Sequence, residues 1–126
     1  MIYQNKNIKI EVENSDIPWL KVLPQIECKE MSQLPRDIRI EIYDTLDVIE
    51  RLMLEYYNPT KINIASFGNY MPIVHWHIMA RFESDTHYPE SMWGKKLREG
   101  VLELPSFDIF CSRLSEILDS QQQVNL

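Results

Sequence analysis

Apolar and polar residues alternate over Ile8–Val12, where Lys9 and Glu11 separate Ile8, Ile10 and Val12. A period of two sends successive side chains to opposite faces of a strand, one buried and one solvated. Ile2–Tyr3 precede this run across the turn-rich tetrapeptide Gln4-Asn5-Lys6-Asn7, and the pair reads as a β-hairpin. Trp19–Leu23, bounded by Pro18 and Pro24, reads as a further short strand. Over residues 35 to 57 the period changes. Ile38, Ile42, Leu46, Ile49, Met53 and Tyr56 recur at steps of four and three and make one apolar stripe, with Arg39, Asp47, Glu50 and Arg51 largely off it. Pro35 suits the first turn of that helix, and Asn58-Pro59 stops it.

Two more strands follow, Lys61–Phe67 and Ile73–Phe82, joined through Gly68-Asn69-Tyr70-Met71-Pro72. Residues 83 to 104 read as irregular. Pro105 and Ser106 then open a last helix with Phe107, Phe110, Leu114 and Ile117 on one face, and the terminal Gln-Gln-Gln-Val-Asn-Leu reads as a frayed tail. The order of hairpin, helix, two strands and helix predicts an antiparallel sheet with helices on one side, an α+β class, in a single domain over residues 1–126. There is no internal repeat, linker or low-complexity segment.

Composition narrows the function. A chain of 126 residues can bury a sufficient core without a disulfide or metal staple. No apolar run approaches the roughly 20 residues of a membrane span, and the first residues lack the apolar core of a signal peptide. Cys28 and Cys111 are far apart and show neither framework nor metal spacing, which points to a reducing, cytoplasmic location. A net charge of −6 argues against nucleic acid as a partner, since that affinity comes largely from basic contacts to phosphates. A small anion needs only local donors and stays admissible.

The chemistry concentrates in one strand. Of three histidines, His75 and His77 stand two residues apart within an otherwise apolar run. On a strand they share a face with Ile73, Met79 and Arg81, while Val74, Trp76, Ile78 and Ala80 take the other. Three readings follow. The pair can be neutral, hydrogen-bonded core residues. It can be half of a zinc site, which needs at least a third protein ligand; His87 is ten residues on, and no Cys or Glu has ligand spacing. It can also be a nucleophile and its assistant at phosphorus. A neutral imidazole attacks through one nitrogen when the other holds its proton in a fixed hydrogen bond, and a second His donates to the phosphoryl oxygens and leaving group. Upstream residues favour this last reading. Gly68 sits where backbone N–H groups can approach an anion, and Asn63 and Asn69 offer amide donors on either side of it.

Taken together, Asn63 to Phe82, "NIASFGNYMPIVHWHIMARF", resembles the histidine triad family, whose signature is three histidines alternating with apolar residues after an Asn or Gln strand position and a Gly-containing loop. The following "HYPESMWGKK" is similar to the segment after the triad in bacterial members. The resemblance extends over nearly the whole chain, with residues 63 to 94 its specific part. It implies the histidine triad fold, an antiparallel sheet with a long central helix and a C-terminal helix. It implies a homodimeric nucleotide hydrolase or transferase that forms a covalent nucleotidyl-histidine at the α-phosphorus of a nucleoside polyphosphate, dinucleoside polyphosphates included, or of a nucleoside phosphoramidate.

By position, His75 is the nucleophile and His77 the donor to phosphate and leaving oxygen. Asn63, Gly68 and Asn69 fall at nucleotide- and phosphate-binding positions. Trp19 is a candidate wall for the base, set against plain packing. No cofactor is required, no metal site is expected, and magnesium would enter only with the substrate. The first triad position is Ile73, and Tyr70 stands where many members have Ser or Thr near the leaving group. Isoleucine keeps the backbone carbonyl that can hold the His75 ring but offers no second ring, so a nucleotide-binding regulator with weak or no catalysis is the alternative. His87 reads as an exposed loop residue. Lys95, Lys96 and Arg98 read as a solvated face, or as charge brought to a phosphate tail across a dimer.

Overall fold

The computed structural model describes residues 1–124 of the chain. Five strands, β1 (Tyr3–Gln4), β2 (Ile8–Val12), β3 (Trp19–Pro24), β4 (Lys61–Ala65) and β5 (Trp76–Arg81), form one antiparallel sheet in the order β1-β2-β3-β5-β4. Helix α1 (Arg36–Tyr57) connects β3 to the edge strand β4, and α2 (Phe107–Val124) closes the described chain. This is the expected α+β arrangement. A short 3₁₀ turn over Met31–Gln33 was not legible in the pattern.

The β1–β2 turn is made by Asn5, whose side-chain oxygen accepts the N–H groups of Asn7 and Ile8. Helix α1 starts one residue later than expected, because Pro35 adopts the extended backbone of a cap at φ −55°, ψ 148°. It ends at Asn58, whose φ of 48° is the left-handed conformation that short polar side chains tolerate. The stripe of α1 packs against the helix-side face of the sheet, onto Leu20, Val22, Ile62, Ile78 and Ala80. At its last turn Tyr57, rather than Tyr56, is buried; Tyr56 instead donates its hydroxyl to the Ser106 carbonyl.

Helix α2 starts behind Ser106, whose hydroxyl accepts the Ile109 N–H. It buries Phe110, Leu114 and Leu118, with Phe107 half-buried beside them. The expected Ile117 is exposed, because steps of four carry the stripe to Leu118. The helix continues through Val124, and Tyr3 donates its hydroxyl to Gln122, so the expected frayed tail is helical up to that point. Asn125 and Leu126 lie outside the described residues.

The strands are shorter than the hydrophobic pattern suggests. Strand β4 ends at Ala65, and β5 starts only at Trp76. Between them Ser66 offers its hydroxyl to the His75 carbonyl, and the Val74 N–H turns to the Cys28 carbonyl instead of the ladder. The side of the sheet away from the helices carries Trp19, Lys21, Asn63, His77 and Arg81. The irregular chain after β5 folds over part of it, packing Phe82, Met92 and Leu102 around Ile17, Trp19 and Met79.

Candidate active site

His75 and His77 are buried side by side at the start of β5, their ring centroids 5.1 Å apart and edge to face. Nδ1 of His75 lies 2.7 Å from the carbonyl oxygen of Ile73. A carbonyl only accepts, so this nitrogen carries a proton, and in the neutral ring Nε2 keeps its lone pair. His77 is set the other way. The indole N–H of Trp19 donates to its Nδ1 at 2.9 Å in a buried contact, so the proton of His77 sits on Nε2. Two neighbouring imidazoles thus offer opposite chemistry, a lone pair from His75 and an N–H from His77. Burial, and then the neighbouring His75, lowers the His77 pKa to about 4, so this ring is neutral near neutral pH.

Gly68 has a φ of +86°, and a Cβ there would come within 3.3 Å of the Met71 carbonyl oxygen and 3.5 Å of that of Ile73. The loop therefore requires glycine for its backbone conformation, and the close approach lies beside the carbonyl that holds His75. Asn63 is on β4, two residues before Ala65, which pairs with His77. Its side-chain oxygen accepts from Arg81 Nη1 at 2.9 Å, which leaves the amide NH₂ as a donor on the histidine face. Asn69 and Tyr70 are exposed at the tip of the same loop.

Arg81 and Asp85 are each 1 % exposed. Arg81 reaches both carboxylate oxygens of Asp85 at 2.9 and 3.1 Å, as well as Asn63 and the Glu90 carbonyl. Burial alone would raise the pKa of Asp85. Arg81 and the N–H groups of Phe82, His87 and Tyr88 bring it instead down to about 2. This pair fixes the start of the irregular segment and, through Asn63, touches the site. The sequence placed Arg81 on the histidine face; Asp85 four residues on was the unread signal.

Trp93 stands 4.9 Å from His77, 5.3 Å from Trp19 and 4.9 Å from Phe67, centroid to centroid. Trp93 is 47 % and Phe67 60 % exposed, so two open aromatic rings border the His77 side of the pair. Trp19 is only 8 % exposed. His87 is half-buried rather than exposed, with Nδ1 in a 2.6 Å hydrogen bond to the Thr86 hydroxyl. Arg98 donates to the Asp85 and Tyr88 carbonyls and Lys96 pairs with Glu99, so the basic cluster largely braces its own loop. A cleft of about 730 Å³ borders Asp16, Asp85, His87 and Lys96, and neither His75 nor His77 lines it. The histidine pair stands out by its hydrogen bonds, not by concavity. Among the described residues no three His, Cys, Asp or Glu side chains group as metal ligands.

The HIT domain family model matches residues 2–84. A histidine triad protein from Bradyrhizobium japonicum is similar at 26 % identity over 91 % of this chain and 87 % of its own, with a TM-score of 0.75. One from Sinorhizobium meliloti is similar at 25 % identity over 91 % and 86 %, with a TM-score of 0.73. A third, from Marinobacter aquaeolei, has the same fold at 22 % identity over 93 % and 88 %, with a TM-score of 0.76. Among curated proteins no relative matches the chain by sequence.

Proposed function

The chain belongs to the HIT domain family, and from that membership we propose that it is a nucleotide hydrolase or transferase acting at the α-phosphorus through His75. The observation that carries the reading is the pair of opposite tautomers, with the His75 proton on Nδ1 at the Ile73 carbonyl and the His77 proton on Nε2. His75 Nε2 forms the bond to phosphorus, the bond from phosphorus to the leaving group breaks, and the His77 N–H stabilises the developing charge. Water or another acceptor then displaces the nucleotide from His75. The Asn63 amide and the backbone around Gly68 and Asn69 bind the phosphate. Substrates are nucleoside polyphosphates or phosphoramidates. No metal is required by this chemistry, and magnesium enters only with a polyphosphate, so chelation leaves turnover largely intact.

The protein acts as a homodimer in this reading. Support comes from the edge strand β4 and the adjoining face of α1, which expose Ile64, Ile40 and Tyr43, the last at 75 %. Light scattering should give twice the chain mass. Among the described residues no helix is long and apolar enough to cross a membrane.

The deciding experiment is quenched single turnover with a dinucleoside polyphosphate, followed by mass spectrometry of the protein. A nucleotidyl adduct on His75, absent from His75→Ala, is the expected result. His75→Ala should lose about 10³-fold or more in rate and keep nucleotide affinity within about tenfold. Equal turnover by the variant would overturn the mechanism, and binding without turnover by the native chain would make it a nucleotide-binding regulator.

A further inference from the structure

An indole N–H has a proton to give and no lone pair to offer, so the 2.9 Å contact from Trp19 fixes His77 Nδ1 as an acceptor. Trp19 is held in place by Ile17 and Met79 and by the edge of Trp93. With Nδ1 so occupied, His77 owns one proton, on Nε2. It can hydrogen-bond to a departing group through that proton. To surrender it outright, the ring would have to become an imidazolate, or first take a second proton at Nδ1, where the indole N–H already points.

The surrounding charges do not relieve this. Lys21, the cross-strand partner of His77 on β3, disfavours an imidazolium, and so does His75 beside it. Glu13 favours one and outranks Lys21, with which it is paired at 3.2 Å, but burial and His75 outweigh it.

We propose that Trp19 is a positioning residue that confines His77 to hydrogen-bond donation, so that the site cleaves phosphoric anhydrides of nucleotides in preference to nucleoside phosphoramidates. The inference rests on the catalytic reading above and selects between its two substrate classes. With an anhydride, the lone pair of His75 Nε2 forms the N–P bond, and the bridging P–O bond breaks. The electron pair stays on the departing phosphate oxygen, which is stable as an anion and needs no proton. Water then forms the new P–O bond, the N–P pair returns to His75, and a proton goes to solvent. With a phosphoramidate, the departing amine must gain a proton as the P–N bond breaks, and His77 has none to release without becoming an imidazolate.

The test compares a diadenosine polyphosphate with an adenosine 5′-phosphoramidate of a simple alkyl amine, on the full chain and on Trp19→Phe, which keeps an aromatic ring and removes the N–H. The native protein should favour the anhydride in kcat/KM by about a hundredfold or more, the scale of general-acid assistance that it lacks. In Trp19→Phe that ratio should narrow by about tenfold, through kcat rather than KM, because Nδ1 becomes free to take a proton. Nitrogen-15 NMR should place the His77 proton on Nε2 in the native chain and show a mixture of tautomers in the variant.

A native protein that turns over both substrates equally, or a folded Trp19→Phe with an unchanged ratio, would overturn the proposal. Should Trp19→Phe not fold, a series of anhydride leaving groups on the native chain decides. A rate that rises steeply as the leaving group becomes more acidic supports the proposal, and a flat series overturns it. Turnover of neither substrate would overturn the catalytic reading and the substrate preference together. The NMR measurement needs no turnover, and an Nδ1 proton on native His77 would remove the Trp19 contact on its own.

Discussion

The Nδ1 nitrogen of His75 and the carbonyl oxygen of Ile73 are 2.7 Å apart, a distance for a well-formed hydrogen bond. In the proposed mechanism Ile73 thus contributes its backbone oxygen to the nucleophile although its side chain is aliphatic. What isoleucine cannot supply is a polar ring behind the nucleophile. Ile73→His should therefore leave the fold intact, as judged by an unchanged thermal midpoint, and raise kcat. A variant no faster than the parent would mean that the carbonyl alone sets the orientation of His75.

Gly68 guards that carbonyl. In Gly68→Ala the left-handed backbone would cost about 1–2 kcal/mol, and the new methyl carbon would press on the Met71 oxygen at 3.3 Å and sit in van der Waals contact with that of Ile73. Chemical denaturation should register the loss of stability. Steady-state kinetics should register a fall in kcat larger than any rise in KM, since in the proposed mechanism the Ile73 oxygen orients the nucleophile. An active variant with native kcat would dissociate the loop from the chemistry.

Arg81 and Asp85 make a second kind of support. Removing one member of a buried ion pair leaves the other charge uncompensated, at a cost of about 3–5 kcal/mol. Arg81→Met should lose stability on that scale in urea unfolding, and Asn63 should lose the donor that orients its amide. The double variant Arg81→Met/Asp85→Leu should recover only part of the stability, because the Phe82, His87 and Tyr88 N–H groups lose their acceptor, and should not recover nucleotide affinity. Full recovery of both would make the pair a purely structural device.

Periodicity carried most of the fold. Alternation located β2 and the step of three and four located α1, because in both the buried face alone decides which positions are apolar. Boundaries were less legible. The strand pattern runs from Ile73 through Phe82, yet β5 begins at Trp76, because the Val74 N–H and the His75 carbonyl bond outside the ladder. One-residue errors at helix faces, Ile117 for Leu118 and Tyr56 for Tyr57, arise where two adjacent residues are both apolar and only tertiary packing chooses. In the site, His75, His77, Asn63 and Gly68 were visible as residue types at motif spacing. The hydrogen bond from Trp19 joins residues 58 positions apart, and no local pattern encodes it. Asp85 was legible only as an acid four residues after an arginine, and its near-complete burial is a property of the folded loop.

The last prediction concerns acid. His77 has a folded pKa of about 4 against an ordinary 6.5, lowered by burial and then by His75. Below 6.5 the unfolded chain takes up a proton at this residue that the folded chain refuses. Stability should therefore be full above pH 6.5 and decline as pH falls toward 4. Asp85 acts in a separate window. Its folded pKa is about 2 against an ordinary 3.8, because Arg81 and three backbone N–H groups outweigh the effect of burial. Its contribution is complete above 3.8 and is lost as pH falls through 2. Urea midpoints measured from pH 7.5 to 2.5 should fall in the native protein, and between 7.5 and 4.5 should stay more nearly level in His77→Gln, which has no proton to refuse. In Asp85→Asn the decline below pH 4 should shrink while the decline between 6.5 and 4 persists. A native midpoint that holds steady from 6.5 to 4.5, or a fall that survives unchanged in His77→Gln, would mean that His77 takes up its proton in the folded state, and with it the neutral donor assigned to the site would be lost.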